Sequence, residues 1–317
     1  MDLNIITLNI PFPPDYGGMI DSFYRIKWLK TLGVRIHLHC FESGRNRSDE
    51  LESLCETVNL YPRQTKLVNQ LSKIPYIVKS RFSNQLLENL KLNSFPIFFD
   101  GLHTTYFLNH HDLFTISGHD FNFFSASYKK VFLLRPFHPF EEVISNTGKG
   151  EYILYHGDLS VSENSLVACS LIKNVFSKLE FSCIIAGKNP PKTLLSEASG
   201  LKQLRVIADP GQKEMEELIK NAHINVMPAL SANGFKLKHL YSLFAGRHCI
   251  INSISAQNFE DRSLFHIADS DEEMIRMINK LMPVDFQYDI VIDRKKSIEK
   301  TFSNIRNAKI LAEIIFG

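Results

Sequence analysis

Short, continuously apolar runs alternate with segments of helical spacing along this chain, and Ile224 to Ile251 displays the unit most fully. Ile224-Asn225-Val226-Met227-Pro228 reads as a strand; a polar loop follows, and Gly234-Phe235-Lys236-Leu237-Lys238 opens a helix that stops at Ala245-Gly246. The next apolar run is His248-Cys249-Ile250-Ile251. Parallel strands need a long crossover, so strand, helix, strand in this order predicts a parallel sheet. Strands apolar on both sides predict helices on both faces. A glycine ahead of a helix start lets a ligand approach the backbone, the first helical N–H groups point outward unpaired, and two lysines add positive charge. That combination suits a diphosphate. An ordinary αβ unit with solvated lysines accounts for the same spacing.

The alternation extends over the chain. Leu3 to Ile10 gives way to the turn-rich Pro11-Phe12-Pro13-Pro14-Asp15-Tyr16-Gly17-Gly18, then a helical pattern ends at Gly33, and Arg35 to Phe41 is a strand. Further strands are expected at Val58 to Tyr61 and Pro96 to Asp100, with one or two amphipathic helices over Leu67 to Leu92, broken near Pro75. Tyr152-Ile153-Leu154-Tyr155 restarts the pattern and ends at His156-Gly157-Asp158-Leu159-Ser160. A helix from about Glu163 to Lys178 leads to the strand Phe181 to Ala186, closed by Gly187-Lys188-Asn189-Pro190-Pro191. Leu204 to Ile207 and Ile224 to Met227 supply strands around a helix at Lys213 to Asn221, and Ser297 to Phe316 has helical spacing. The segment Glu141 to Glu151, polar and glycine-containing, is the best candidate for an interdomain linker.

A length of 317 residues accommodates two domains, each with its own core. The boundary is placed at 145/146. A hydrophobic fraction of 44% and a charged fraction of 22% are those of a globular protein. A net charge of +2 does not call for nucleic acid. The five cysteines, Cys40, Cys55, Cys169, Cys183 and Cys249, are widely spaced and mostly lie in apolar runs, as core residues of a reducing compartment would. With no apolar stretch of about 18 residues and no basic-then-apolar N-terminus, the expectation is a cytoplasmic chain without a membrane span.

Other chemistries are poorly represented. No glycine triplet follows the first strand, against a dinucleotide oxidoreductase. No carboxylate pair of the hydrolase kind is evident. His110 and His111 are adjacent and lack partners at zinc spacing, while Asp269-Ser270-Asp271-Glu272-Glu273 reads as the acidic start of a helix. No cofactor is expected.

Taken in order, Pro14-Asp15-Tyr16-Gly17-Gly18, Tyr155-His156-Gly157-Asp158-Leu159-Ser160, Ile185-Ala186-Gly187-Lys188-Asn189-Pro190 and Gly234-Phe235-Lys236-Leu237-Lys238 resemble a GT-B glycosyltransferase. Within that fold the chain is similar to the retaining family 4 enzymes, in particular a bacterial polysaccharide-assembly branch. The likeness is strongest from Tyr152 to Ile251 and weak between Asn109 and Phe140. It implies an α/β architecture of two Rossmann-like domains with parallel sheets flanked by helices and a cleft between them. Residues 1–145 would form the acceptor side, with a C-terminal helix at about 297–317 packing back on it, and 146–296 would bind the nucleotide sugar.

The implied activity is metal-independent hexosyl transfer with retention, from a nucleotide-sugar donor to a saccharide or lipid-linked acceptor in cell-surface polysaccharide synthesis. A location at the inner face of the membrane, by peripheral association, is compatible with it. His103 occupies the place of a histidine near the transferred sugar, and Lys236 or Lys238 would neutralise the departing diphosphate. Gly17 and Gly18 would let the first loop meet phosphate or acceptor; Gly157 and Asp158 close the first strand of the second domain; Gly187, Lys188 and Asn189 lie where the family contacts the nucleobase. Two positions apart on a helix, Lys236 and Lys238 would point in different directions, so both engage only if the loop there is irregular; otherwise Lys236 is the one expected at the reaction.

The chain also departs from the family pattern. Leu230-Ser231-Ala232-Asn233 stands where relatives carry a first glutamate, and Tyr241 where a second bonds the ribose; a tyrosine cannot offer a carboxylate to two hydroxyls. The arginine and lysine that many relatives place after the His156-Gly157 strand are absent, with Asp158 and Glu163 nearby instead, and acidic groups there would repel a diphosphate. A catalytically degenerate relative that binds a nucleotide sugar or a partner protein is the alternative.

Overall fold

The computed structural model describes residues 1–65, 75–101, 113–115, 118–126, 130–232 and 234–317. The chain divides into two compact units, Met1–Phe114 with Leu134–Pro139 and Phe302–Gly317, and Thr115–Leu133 with Phe140–Thr301.

The first unit is built on β1 (Asp2–Thr7), α1 (Gly17–Thr31), β2 (Arg35–Phe41), α2 (Asp49–Leu54), β3 (Thr57–Tyr61), α3 (Tyr76–Lys79), α4 (Asn84–Lys91) and β4 (Ile97–Asp100). Its sheet has the order β3-β2-β1-β4, with every pair parallel. Leu3 and Ile5 of β1 and Ile36 and Leu38 of β2 are fully or almost fully buried, and they share one core with Phe23, Ile26 and Leu29 of α1. The alternation of branched apolar residues in short runs therefore becomes strands covered by helices, as expected of a parallel sheet.

Three short elements follow: β5 (Leu113–Thr115), α5 (Gly118–Ser125) and β6 (Val131–Leu133). The second unit then runs β7 (Tyr152–Asp158), α6 (Ser162–Asn174), a 3-10 turn (Phe176–Lys178), β8 (Cys183–Lys188), α7 (Lys192–Ala198), β9 (Leu204–Ala208), α8 (Gln212–Asn221) and β10 (Ala222–Val226). It continues with α9 (Leu237–Ala245), β11 (His248–Ile251), α10 (Ser253–Ala256), β12 (His266–Ile267), α11 (Asp271–Leu281) and α12 (Tyr288–Thr301). Its six strands are parallel in the order β12-β11-β10-β7-β8-β9. Strands β8 and β9 are laid down on one side of β7, and β10 to β12 on the other. The strand order thus reverses between β7 and β10, which in open α/β sheets is where ligands bind, at the carboxyl ends of the strands. Both units are Rossmann-like, parallel sheets flanked by helices.

Two expectations change. The last helical segment is two helices, α12 and α13 (Asn304–Phe316), because Phe302 is buried and Ser303 starts the second by accepting from the Arg306 amide. In the first unit α13 packs on α1, with Ala308 and Leu311 in the core. In the segment Glu141 to Glu151, the Ile144 amide donates to the Phe244 carbonyl at 2.7 Å, the Gly148 amide to Phe286 at 2.9 Å, and the Glu151 amide to Asn221 at 2.9 Å. Helix α9 starts at Leu237, not at Gly234. Among the described residues no helix is long and apolar enough to cross a membrane.

Candidate functional site

At the reversal point of the second sheet, the loop after β7 meets the loop after β10. Gly157 and Asp158 end β7 in register with Gly187 and Lys188 of β8. The strands approach closely there: a Cβ on Gly187 would lie 1.8 Å from the Gly157 carbonyl oxygen, so position 187 admits only glycine without backbone movement. The Asp158 side chain accepts from the Ser160 amide (3.0 Å) and hydroxyl (2.6 Å), and its carbonyl accepts from Asn164 Nδ2 at 2.9 Å. Asp158 therefore shapes the turn into α6. Asn189 adopts a left-handed backbone (φ 48°), with its amide donating to Asp209 Oδ1 at 2.7 Å. That fixes the β8 end to the β9 end.

Across the reversal point, the loop after β10 is held from both sides. Asn252 at the end of β11 grips Ala229, its Oδ1 accepting from the amide at 3.2 Å and its Nδ2 donating to the carbonyl at 2.8 Å. On the α6 side, Glu163 Oε1 accepts from the Leu230 and Ser231 amides at 3.1 and 3.2 Å, and Glu163 Oε2 takes Lys236 Nζ at 2.9 Å. Burial would raise the Glu163 pKa, but the Lys236 ammonium and the two amides bring it below its usual value. Gly234 has φ 65° with open space about its α-carbon, so backbone conformation alone favours glycine at this position. The Phe235 ring lies 5.3 Å from that of Phe259.

The extra loop residues resolve the geometry of the two lysines. Lys236 keeps an extended backbone (φ −89°, ψ 94°) as the residue that caps α9, while Lys238 lies in the first turn. Their ammoniums consequently both reach the start of α6. Lys238 Nζ donates to Asn164 Oδ1 at 2.9 Å and to the Tyr155 hydroxyl at 3.4 Å, and sits 4.9 Å from the centre of the Tyr155 ring. Burial lowers its pKa to about 8, with Glu163 opposing the shift and Lys236 adding to it. Lys236 contacts a carboxylate directly; the Lys238 contacts are to neutral groups.

Beneath this clasp lies a neutral layer. His156 Nε2 pairs with Ser242 Oγ at 3.2 Å, and His239 Nε2 with the Met227 carbonyl at 3.1 Å. Burial first, then the positive Lys238, lowers both imidazoles to about 3. Tyr241 packs edge-on against Phe140, ring centres 4.9 Å apart. Fully buried Arg294 holds the far end of α9, donating to the Gly246 carbonyl at 2.6 Å and the Arg247 carbonyl at 2.7 Å.

Seven of the expected residues, Gly157, Asp158, Gly187, Lys188, Gly234, Lys236 and Lys238, thus lie in or beside the loops at one end of the second sheet, with Asn189 and Phe235 beside them. Tyr241 is one turn further into α9. Gly17 and Gly18 belong to the first unit, at the start of α1, where Arg45 steadies the preceding loop by an ion pair with Asp15 and a 2.8 Å bond to the Pro13 carbonyl. His103 lies outside the described residues. Glu163, read in the sequence as a repulsive acid, is instead the partner of Lys236 and of the loop amides. Its signal, an acidic residue in the first turn after β7, carries no mark of a partner 73 positions away. Asn252, a polar residue after a strand, carries no periodicity, and Ser231 is marked in the sequence only as part of the Leu230 to Asn233 stretch that lacks a glutamate. Among the described residues no group of three His, Cys, Asp or Glu side chains is arranged to hold a metal ion.

Residues 150–283 match the family described as glycosyl transferases group 1. No curated protein sequence matches the chain significantly. Among solved structures, a glycosyltransferase from Rickettsia africae is similar over 99% of this chain and 97% of its own, with a TM-score of 0.69 at 11% identity. WaaG, a glycosyltransferase involved in lipopolysaccharide biosynthesis, covers 99% of this chain and 100% of its own (TM-score 0.68, 12% identity). HepE of Anabaena, solved with UDP and glucose, covers 99% of each chain (TM-score 0.67, 10% identity). The chain thus has the GT-B fold, and residues 150–283 of its second unit carry the match to the group 1 glycosyl transferases.

Proposed function

We propose that the chain is a glycosyltransferase that moves a sugar from a nucleotide-sugar donor to a saccharide or lipid-linked acceptor in cell-surface polysaccharide synthesis. The family match over the second unit supports this reading, as do fold relatives solved with UDP or named for lipopolysaccharide work. The observation that carries it is the placement of Lys236 and Lys238 together at the strand-order reversal, beside the start of α9. A nucleoside diphosphate leaves more readily when fixed positive charge and helix N–H groups meet its developing negative charge.

In this reading Lys238 supplies the standing charge, since its contacts are to neutral groups, and the first-turn amides of α9 add their partial charge. Gly187, Lys188 and Asn189 border the base and ribose, and Gly157 leaves room for the phosphates. Transfer is of a hexose, with retention and without a metal: the acceptor hydroxyl attacks from the face the diphosphate leaves, and a donor phosphate oxygen takes the proton. His103 is assigned beside the transferred sugar, and Gly17 and Gly18 beside phosphate or acceptor. The acceptor side belongs to the first unit, the location is cytoplasmic, and contact with the inner membrane face brings lipid-linked acceptors within reach.

A second reading, a noncatalytic nucleotide-sugar or partner-binding relative, draws on the Lys236–Glu163 ion pair and on Tyr241 at the ribose position. Donor hydrolysis separates them. Incubated with UDP-glucose, UDP-galactose and GDP-mannose without acceptor, a transferase releases nucleoside diphosphate slowly from its own donor. A nucleotide-sugar-binding protein retains the donor intact, and no binding of any nucleotide sugar contradicts the transferase reading and leaves the partner-binding one.

A further inference from the structure

Four donors converge on one side chain at the head of α6. The Leu230 and Ser231 amides reach Glu163 Oε1 at 3.1 and 3.2 Å, the Ser231 hydroxyl stands 3.4 Å from both carboxylate oxygens, and Lys236 Nζ is 2.9 Å from Oε2. Two successive backbone N–H groups, a hydroxyl and an ammonium form the set of partners that holds a phosphoryl group in anion-binding loops. Here that set is filled from within. We propose that Glu163 is an internal stand-in anion, and that Leu230, Ser231 and Lys236 form a phosphoryl site opened when an incoming phosphoryl group displaces the carboxylate.

Three features make the exchange inexpensive. The Glu163 and Lys236 side chains are 25% and 22% exposed, so solvent and ligand reach the contact. The Glu163 backbone sits in the first turn of α6, where the helix's own unpaired N–H groups receive a released carboxylate. Ala229 and Gly234 have anchors that do not involve Glu163: Asn252 holds Ala229, and Asn258 Nδ2 donates to the Gly234 carbonyl at 3.4 Å. A group of greater charge than one carboxylate is needed to win, so the site favours a phosphoryl dianion over monovalent acids. The carboxylate also keeps Lys236 neutralised until such a group arrives.

The inference rests on reading this end of the sheet as a diphosphate site, and its test separates the two. Calorimetric titration of the whole chain with inorganic pyrophosphate, and separately with UDP and GDP, is compared for wild type and Glu163→Gln. Glutamine keeps an acceptor for the two amides and removes the charge. At least tenfold tighter pyrophosphate binding by the variant is expected; equal or weaker binding overturns the proposal and makes Glu163 a strut for the loop. In the wild type, carboxyl 13C NMR of labelled glutamate needs no variant: the Glu163 resonance moves at pyrophosphate saturation, and an unmoved resonance overturns the proposal. Tighter pyrophosphate binding with no binding of UDP or GDP upholds the site and removes the nucleotide reading. UDP or GDP binding with the Glu163 resonance unmoved does the reverse.

Discussion

Each unit ties the helix after its first strand to a neighbouring segment with an ion pair, and burial makes the two ties different devices. In the first unit Arg25 of α1 meets Asp21 and, at 2.7 Å, Asp100 at the end of β4, with side chains only 5%, 8% and 14% exposed. The guanidinium also lies over the Phe98 and Phe137 rings, and Asp21 Oδ1 accepts from the Phe137 amide at 2.7 Å. In the second unit the Glu163–Lys236 pair is about a quarter exposed on both sides. A sealed pair cannot trade partners without leaving a buried charge, whereas a partly exposed one can. Similar chemistry therefore serves as a fastener in one unit and as an exchangeable contact in the other.

The largest difference between the units is expected in acid. Burial lowers His39 and His138 of the first unit to about 4. In the second unit it lowers His156 and His239 to about 3 and His248 to about 4. Because the folded values lie below the unfolded one near 6.5, the unfolded chain binds protons first. Stability is then lost as pH falls from about 6.5 toward 4, by up to about 1.4 kcal/mol per pH unit for each histidine. With His266 also lowered by burial, four such groups against two predict that the second unit loses hydrogen-exchange protection at the higher pH. Loss of the first unit first would break the comparison.

Removing one partner from each tie should separate them next. Arg25→Met leaves two buried carboxylates and is expected to cost about 3–5 kcal/mol in urea unfolding. Glu163→Gln should cost under about 1 kcal/mol, as for exposed pairs. Equal losses would mean that burial does not distinguish the two contacts. An effect between these two, about 1–3 kcal/mol, is expected for Gly187→Ala, whose Cβ would meet the Gly157 carbonyl at 1.8 Å. Wild-type stability for that variant would place the β7–β8 crossing elsewhere.

Much of the second unit is legible in the sequence, because its strands are short, branched and apolar, and glycines and prolines punctuate them. Tyr152 to Asp158, Cys183 to Lys188 and His248 to Ile251 fall where the apolar runs lie. The last helical stretch misleads, since its apolar spacing continues through Phe302 while Ser303 starts a new helix. The site is legible in part. Gly234 and the two lysines are marked by type and spacing, but whether both lysines face one point depends on Lys236 still being extended, a backbone detail without a composition signal. The pairing of Glu163 with Lys236 is a contact between distant segments, created by the order of β7 and β10 in the sheet.

The proposed activity requires that the strand-order reversal of the second unit bind a diphosphate through its lysines. Titration of UDP and GDP into wild type and Lys238→Ala, near pH 7 where Lys238, with a pKa of about 8, is mostly charged, tests it most directly. Loss of a charge-assisted contact predicts a decrease of about 1.5–3 kcal/mol, a ten- to more than hundredfold weaker complex. Affinity unchanged both by Lys238→Ala and by the double variant with Lys236→Ala would contradict it.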